Sequence, residues 1–194
     1  MDIDSVLAWI EATSLAQWMK YSTWGFPMVE SFHVIAIAIV VGTIAIVDLR
    51  LLGFASRSRL ATAVMRDSLP WTWAAFAVAV ATGVLMFWSD PASYYYNFPF
   101  RIKILLLALA GINMLVFEMV LIRDLKRWEQ EGRIPRAARF SGLLSLVFWI
   151  AIVALGRWIG FVDPVMPETP APTMEDLQFD FLLPPPAPAT PPAP

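Results

Sequence analysis

Between Pro27 and Gly53 the chain reads PMVESFHVIAIAIVVGTIAIVDLRLLG, and no other stretch constrains the fold as much. Crossing a bilayer takes about 20 mostly apolar residues, and the middle of this stretch meets that need. Yet Glu30 and His33 stand near one end of it, and Asp48 and Arg50 near the other. A charge at the centre of a membrane helix costs about 2.5–3.5 kcal/mol on insertion scales, so such groups face protein, water or a ligand. His33 is the one histidine of the chain and follows Glu30 by a single helical turn.

The composition carries the same message through the whole chain. Of its 194 residues 58% are hydrophobic and 15% charged, against about 45–50% and about 25% in soluble domains. That excess has to face lipid. Nine Trp and thirteen Phe fit, since amphipathic rings favour the membrane interface. A net charge of −2, with no basic patch interleaved with aromatics, gives no reason to expect a nucleic-acid partner. The absence of cysteine excludes disulfides, iron–sulfur clusters and thiolate metal sites, and one histidine excludes a histidine-rich metal site within one chain. The start, MDIDSVLAWIEA, has neither a basic n-region nor a small-residue cleavage site, so the first long helix is expected to act as an uncleaved insertion signal.

The expected fold is all-α: an integral-membrane antiparallel four-helix bundle with an N-terminal interfacial helix and an extended tail. Residues 1–26 form the first unit. Within them 4–22 mixes Val6, Ile10 and Leu15 with Asp4, Glu11, Gln17 and Lys20, too polar to cross and suited to an amphipathic helix at the interface. An ordinary solvated helix packed on the bundle is the alternative. Four spans follow within 27–162, at about 27–53, 69–88, 100–122 and 140–162. Gly53 is the expected C-cap of the first, and Pro70 opens the second. Ala75, Ala79 and Gly83 make a small-residue stripe that lets a neighbouring backbone approach; Gly156 and Gly160 are a GxxxG pair. The tail, 163–194, holds eleven of the sixteen prolines and no positive charge. Such a segment favours extended polyproline II without a core of its own. Its acidic-hydrophobic piece MEDLQFDFLL offers Leu177, Phe179, Phe181 and Leu182 to a partner surface; a plain disordered tail is the alternative.

Positive charges predict the orientation. Ten of them (Arg50, Arg57, Arg59, Arg66, Arg123, Lys126, Arg127, Arg133, Arg136 and Arg139) fall on one side, against four (Lys20, Arg101, Lys103 and Arg157) on the other. Both basic loops are therefore expected in the cytoplasm, with the two termini outside, periplasmic in a Gram-negative cell.

A rise of about 1.5 Å per residue then sorts the intramembrane polar groups into two levels. The outer level gathers Glu30, His33, Arg101, Lys103 and Arg157 from three helices, a candidate site for haem b, a quinone or an anionic head group. The alternative is that Glu30 or a carbonyl satisfies His33, while Lys103 and Arg157 snorkel to the surface. At the inner level Asp48 with Arg123, and Glu118 with Arg50, are expected as structural ion pairs. Glu30-x-x-His33 has the i, i+3 spacing of a di-iron ligand pair, but no second such pair exists to complete that site. No nucleophile–base triad, phosphate loop or zinc motif is present, so neither a catalytic set nor a metal site is expected.

The series Trp24-x-x-Pro27-x-x-Glu30-x-x-His33, with Gly42, Asp48-Leu49-Arg50-Leu51-Leu52-Gly53, Phe100-Arg101-x-Lys103, Asn113 and Gly156-Arg157, resembles a family of small four-helix bacterial inner-membrane proteins of unknown function. The resemblance covers about residues 5–162. More distantly it is similar to copper-resistance-type and haem-b-type four-helix membrane proteins, an analogy of fold. Those relatives often place a second histidine near the position of Glu118, and a glutamate there departs from bis-histidine haem ligation. The functional expectation is an accessory, non-catalytic subunit of a larger inner-membrane complex, of the electron-transfer kind, whose partners are the bilayer and other membrane subunits. A redox protein holding haem b or a quinone near His33 is the second expectation, and a small transporter or metal-handling protein the third.

Overall fold

A computed structural model describes residues 2–55, 59–121, 127 and 134–165. The proposed partner segment Leu177–Leu182, and Arg57, Arg123, Lys126 and Arg133, lie outside the described residues. Among the described residues the chain is all-helical, without a strand. Four helices are long and apolar enough to cross a membrane. The elements are α1 (Ile3–Glu11), α2 (Ser14–Tyr21), α3 (Gly25–Leu52), α4 (Ala61–Ser89), α5 (Pro91–Tyr96), α6 (Phe98–Val116) and α7 (Arg136–Trp158). A π-helical segment, Phe117–Leu121, continues α6, and a 3-10 turn, Ile159–Phe161, ends α7.

The N-terminal region is two helices, where the sequence suggests one. Thr13 breaks it: its backbone is extended and its hydroxyl accepts from the Ala16 amide, an N-cap that starts α2 afresh. Leu7, Ala16 and Met19 are buried, while Trp9 and Trp18 stay exposed. Two long-range bonds fasten the pair to the rest of the chain. Trp88 Nε1 donates to Thr13 Oγ1 at 3.1 Å, and the Tyr96 hydroxyl donates to Asp4 at 2.6 Å. A charge-assisted bond from Lys20 to Glu11 closes the two short helices on each other and raises the lysine pKa.

α3 is apolar all round and ends where Gly53 adopts φ +84°, the left-handed cap that an L side chain resists. α4 starts nine residues before Pro70, because Ala61, Val64 and Met65 already make a buried helical face. Pro70 therefore sits inside the helix. Its missing amide leaves the Arg66 carbonyl without its usual partner, a fault that a neighbouring-helix environment tolerates.

Asp90 and Asn97 cap the two helices that follow, each accepting from the amide three residues on. Asn97 does more. Buried to 3% exposure, it donates through Nδ2 to the carbonyls of Ile159 (3.3 Å) and Val162 (3.0 Å), pinning the start of α6 to the end of α7.

Among the long helices α3 packs on both α4 and α7, and α7 packs on α6. Small residues of α7 bring it close to α3: a Cβ on Gly142 would lie 3.4 Å from both the Asp48 carbonyl and Leu51 Cβ. By contrast no Cα atoms of α4 and α6 come within 8 Å of each other. Leu51, Ala61, Met65, Phe117 and Ala138 form the main buried cluster, at the Asp48 end. Elsewhere the helices turn apolar side chains outward, and in the best apolar window of α6 only 11% of residues are buried. That surface suits lipid rather than water.

Candidate functional site

Two levels of polar side chains stand out, and they differ in what they bring together. At the first, His33 of α3 is half-buried against α4. Its Nδ1 lies 2.9 Å from the Thr82 hydroxyl, which itself donates to the Val78 carbonyl at 2.7 Å. The hydroxyl proton being engaged, Nδ1–H is the donor and Nε2 of the neutral ring keeps the lone pair. Gly83 makes room for the ring; a Cβ there would lie 3.1 Å from His33 Cε1. Lys103 is close enough for its charge to act on the imidazole. Its side chain lies over α7 at Gly156, where a Cβ would be 3.5 Å from Nζ.

The other residues expected at this level do not join them. Glu30 and Arg101 are exposed. Arg157 is exposed too and holds its guanidinium 5.1 Å from the centre of the Phe161 ring, a cation–π contact toward the helix end. His33 and Lys103 remain as the pair drawn from separate helices. Of the two residues that shape the place of His33, Gly83 is legible in the sequence only as part of a small-residue stripe, and Thr82 carries no signal there. Nearby, a second cavity of about 250 Å³ is bordered by Phe26, Asp90, Ser93, Tyr94 and Asn97. Burial, and then the charges of Glu30 and Asp90, push the Tyr94 phenol above its ordinary pKa.

The second level lies about fifteen residues along α3 from His33, on the order of 22 Å. Here Asp48 is 5% exposed with Ser145 beside its carboxyl, yet its Oδ2 has no hydrogen-bond partner. Arg50 does not answer it. Two residues on, about 200° around the helix, Arg50 faces the connection to α4 and donates from Nε to the Arg59 carbonyl at 2.6 Å. Among the described residues no ion pair includes Asp48, Arg50 or Glu118; the acidic partners are Glu11, with Lys20, and Asp67, with Arg59 and Arg66. The expected pair of Asp48 with Arg123 falls partly outside the described residues.

Asp48 instead lines a cavity of about 300 Å³ that α3, α4, α6 and α7 enclose together. Thr72, Asn113, Glu118, Ser141 and Ser145 add polar groups to its wall. Most of these are engaged with one another. The Ser141 hydroxyl and Asn113 exchange bonds, Oγ to Oδ1 at 3.0 Å and Nδ2 to the Ser141 carbonyl at 3.1 Å. Thr72 donates to the Thr43 hydroxyl at 2.8 Å. Glu118 belongs to the π-helical segment, a geometry frequent at functional sites. Among the described residues no group of three metal-ligating side chains gathers at either level.

Four apolar helices with polar residues on their inner faces define the class: a small helical protein of membrane type. The chain belongs to DUF6644, a family of unknown function, whose model matches residues 5–162. No curated protein and no solved structure matches it. The match ends where the proline-rich tail begins, as the resemblance in the sequence implies.

Proposed function

We propose that this protein is a non-catalytic subunit of a larger bacterial inner-membrane assembly, of the respiratory or photosynthetic electron-transfer kind. Its basic loops face the cytoplasm, and both termini lie on the far side. One observation carries the reading: the polar side chains of the long helices mostly hold neighbouring helices rather than converge on a reacting centre. His33 bonds Thr82, Thr72 bonds Thr43, and Asn113 bonds Ser141. Such bonds fix one arrangement of helices in an apolar solvent. The acidic-hydrophobic piece of the tail, Leu177 to Leu182, supplies a grip for a partner outside the bilayer. Purification from native membranes in mild detergent, followed by native mass spectrometry, tests this. Other subunits should travel with the chain, and removal of residues 163–194 should weaken their hold. A lone chain under every mild condition refutes it.

The tautomer of His33 favours a second reading, a redox protein holding haem b or a quinone at this level. With Nδ1–H fixed on Thr82, Nε2 is free to ligate iron or to bond a quinol hydroxyl, and Lys103 can donate to a quinone carbonyl. An absorption spectrum decides the haem version: it requires a Soret band that disappears in His33→Ala.

A further inference from the structure

Among the described residues Oδ2 of Asp48 has no partner, at a cavity distinct from the His33 level. A buried acceptor left without a donor is expensive, and more so when ionised, so native structures rarely retain one without a use. Asp48 is 5% exposed, and its cavity holds about 300 Å³. Among the described residues lining that cavity none is a lysine, arginine or histidine. The polar donors of the wall bond elsewhere, Asn113 to Ser141 and Thr72 to Thr43, and neither indole N–H, of Trp73 or of Trp149, reaches Oδ2. A ligand that brings a donor of its own would complete Oδ2.

The rest of the wall describes the body attached to that donor. Trp73, Phe76, Phe117 and Trp149 give it aromatic faces, and Met65 and Met114 give adaptable ones. An apolar cavity of about 150 Å³ accepts benzene, so twice that space suits a body of about two fused rings. α4 and α6 both line the cavity, and the outward faces of the helices around it are apolar. A ligand that reaches it through that surface is lipid-soluble.

We propose that this cavity binds a lipid-soluble aromatic molecule of about two fused rings, whose head donates a hydrogen bond to Asp48. Hydroxyl and ammonium heads share that chemistry, and Glu118 on the same wall would further favour the ammonium. The full chain in nanodiscs is titrated with 2-naphthol, 2-naphthylmethylamine and the donor-free 2-methoxynaphthalene, with Asp48→Leu, which has no acceptor, in identical nanodiscs as the reference for partitioning. At least one donor probe should bind about tenfold or more tightly than 2-methoxynaphthalene, and Asp48→Leu should erase that preference. Whichever donor probe is tighter names the head. Ala110→Phe, which fills the cavity from α6, should abolish saturable binding of all three. Equal affinities for donor and donor-free probes, a preference that survives in Asp48→Leu, or no saturable binding at all overturns the proposal. The comparison among probes on the unaltered chain stands even if a variant fails to fold, and none of these results bears on partner subunits.

Discussion

His33 Nδ1 and the Thr82 hydroxyl meet at 2.9 Å between α3 and α4, and Gly83, one residue on, leaves the space that the ring occupies. Each half of this relationship has its own signature. Thr82→Val keeps the shape but leaves the imidazole only the Ala79 carbonyl as a partner on α4, and hydrogen bonds between membrane helices contribute about 0.6–1.7 kcal/mol. We expect a loss of about 1 kcal/mol in reversible unfolding from mixed micelles, with Thr82→Ser restoring most of it. Gly83→Ala should cost about 1–3 kcal/mol by overpacking against the ring. Gly42, with nothing within 4 Å of its Cβ position, is the control. Gly42→Ala should be neutral or stabilise by up to about 1 kcal/mol through helix propensity.

Asn97 works in two directions at once, as acceptor for the Phe100 amide and as donor to the carbonyls of Ile159 and Val162. Loss of an N-cap costs about 0.5–2 kcal/mol, and each net hydrogen bond about 0.5–1.5 kcal/mol. Asn97→Ala should therefore destabilise by about 2–4 kcal/mol. Asn97→Asp retains the cap but loses the Nδ2 donor and sets a carboxylate against two carbonyls. Proteolysis near residue 162 should rise in Asn97→Asp, while α6 helicity by circular dichroism holds.

Asn113 and Ser141 exchange two bonds between α6 and α7, so they should be coupled energetically. Ser141→Ala removes the hydroxyl bond but leaves the carbonyl bond in place. Asn113→Leu removes both and should cost more. A double-mutant cycle should give a coupling of about 0.6–1.7 kcal/mol, the range found between membrane helices. Additive single effects would mean that the hydroxyl bond from Ser141 to Asn113 does not help to hold α6 and α7 together, and leave that role to the carbonyl bond.

The apolar lengths of the four long helices and the Gly53 cap were readable because each rests on a local rule: enough apolar residues, and a glycine where φ is positive. Pro70 misled for the same reason. Proline favours the first turn, yet the buried face of Ala61, Val64 and Met65 starts the helix earlier. Thr13 was hidden in a continuous apolar periodicity that runs through residues 4–22. The Asp48 site shows where local rules stop. Beside Arg50 and near a helix end, an aspartate reads as half of an ion pair. Its actual surroundings depend on Gly142 and Ser145, about a hundred residues away, which bring α7 against its face of α3. Asn97 falls between two expected spans, and nothing near it in sequence signals its bonds, because both carbonyls that it binds lie at the far end of α7.

Tyr96 offers a test by pH of how α1 is fastened. Its hydroxyl donates to Asp4, and that bond, with the neighbouring negative charge, pushes the phenol up to about 12. The direction follows from the donor: ionised Tyr96 has no proton to give and would face a carboxylate. A pKa raised above its unfolded value, about 10, adds stability that is complete below pH ~10 and lost as pH rises through the folded value. Attachment of α1 should therefore be insensitive to pH through the neutral range and fail between about pH 10 and about pH 12. Ultraviolet titration of the phenols checks it. Tyr94, raised by burial, titrates late as well, so Tyr96→Phe should remove one phenol from the late component, and Asp4→Asn should move that phenol to lower pH. Both variants should make α1 more open to proteolysis already at neutral pH. A late component undiminished in Tyr96→Phe would assign it to the other tyrosines and leave α1 fastened by its packing, that of Leu7 included.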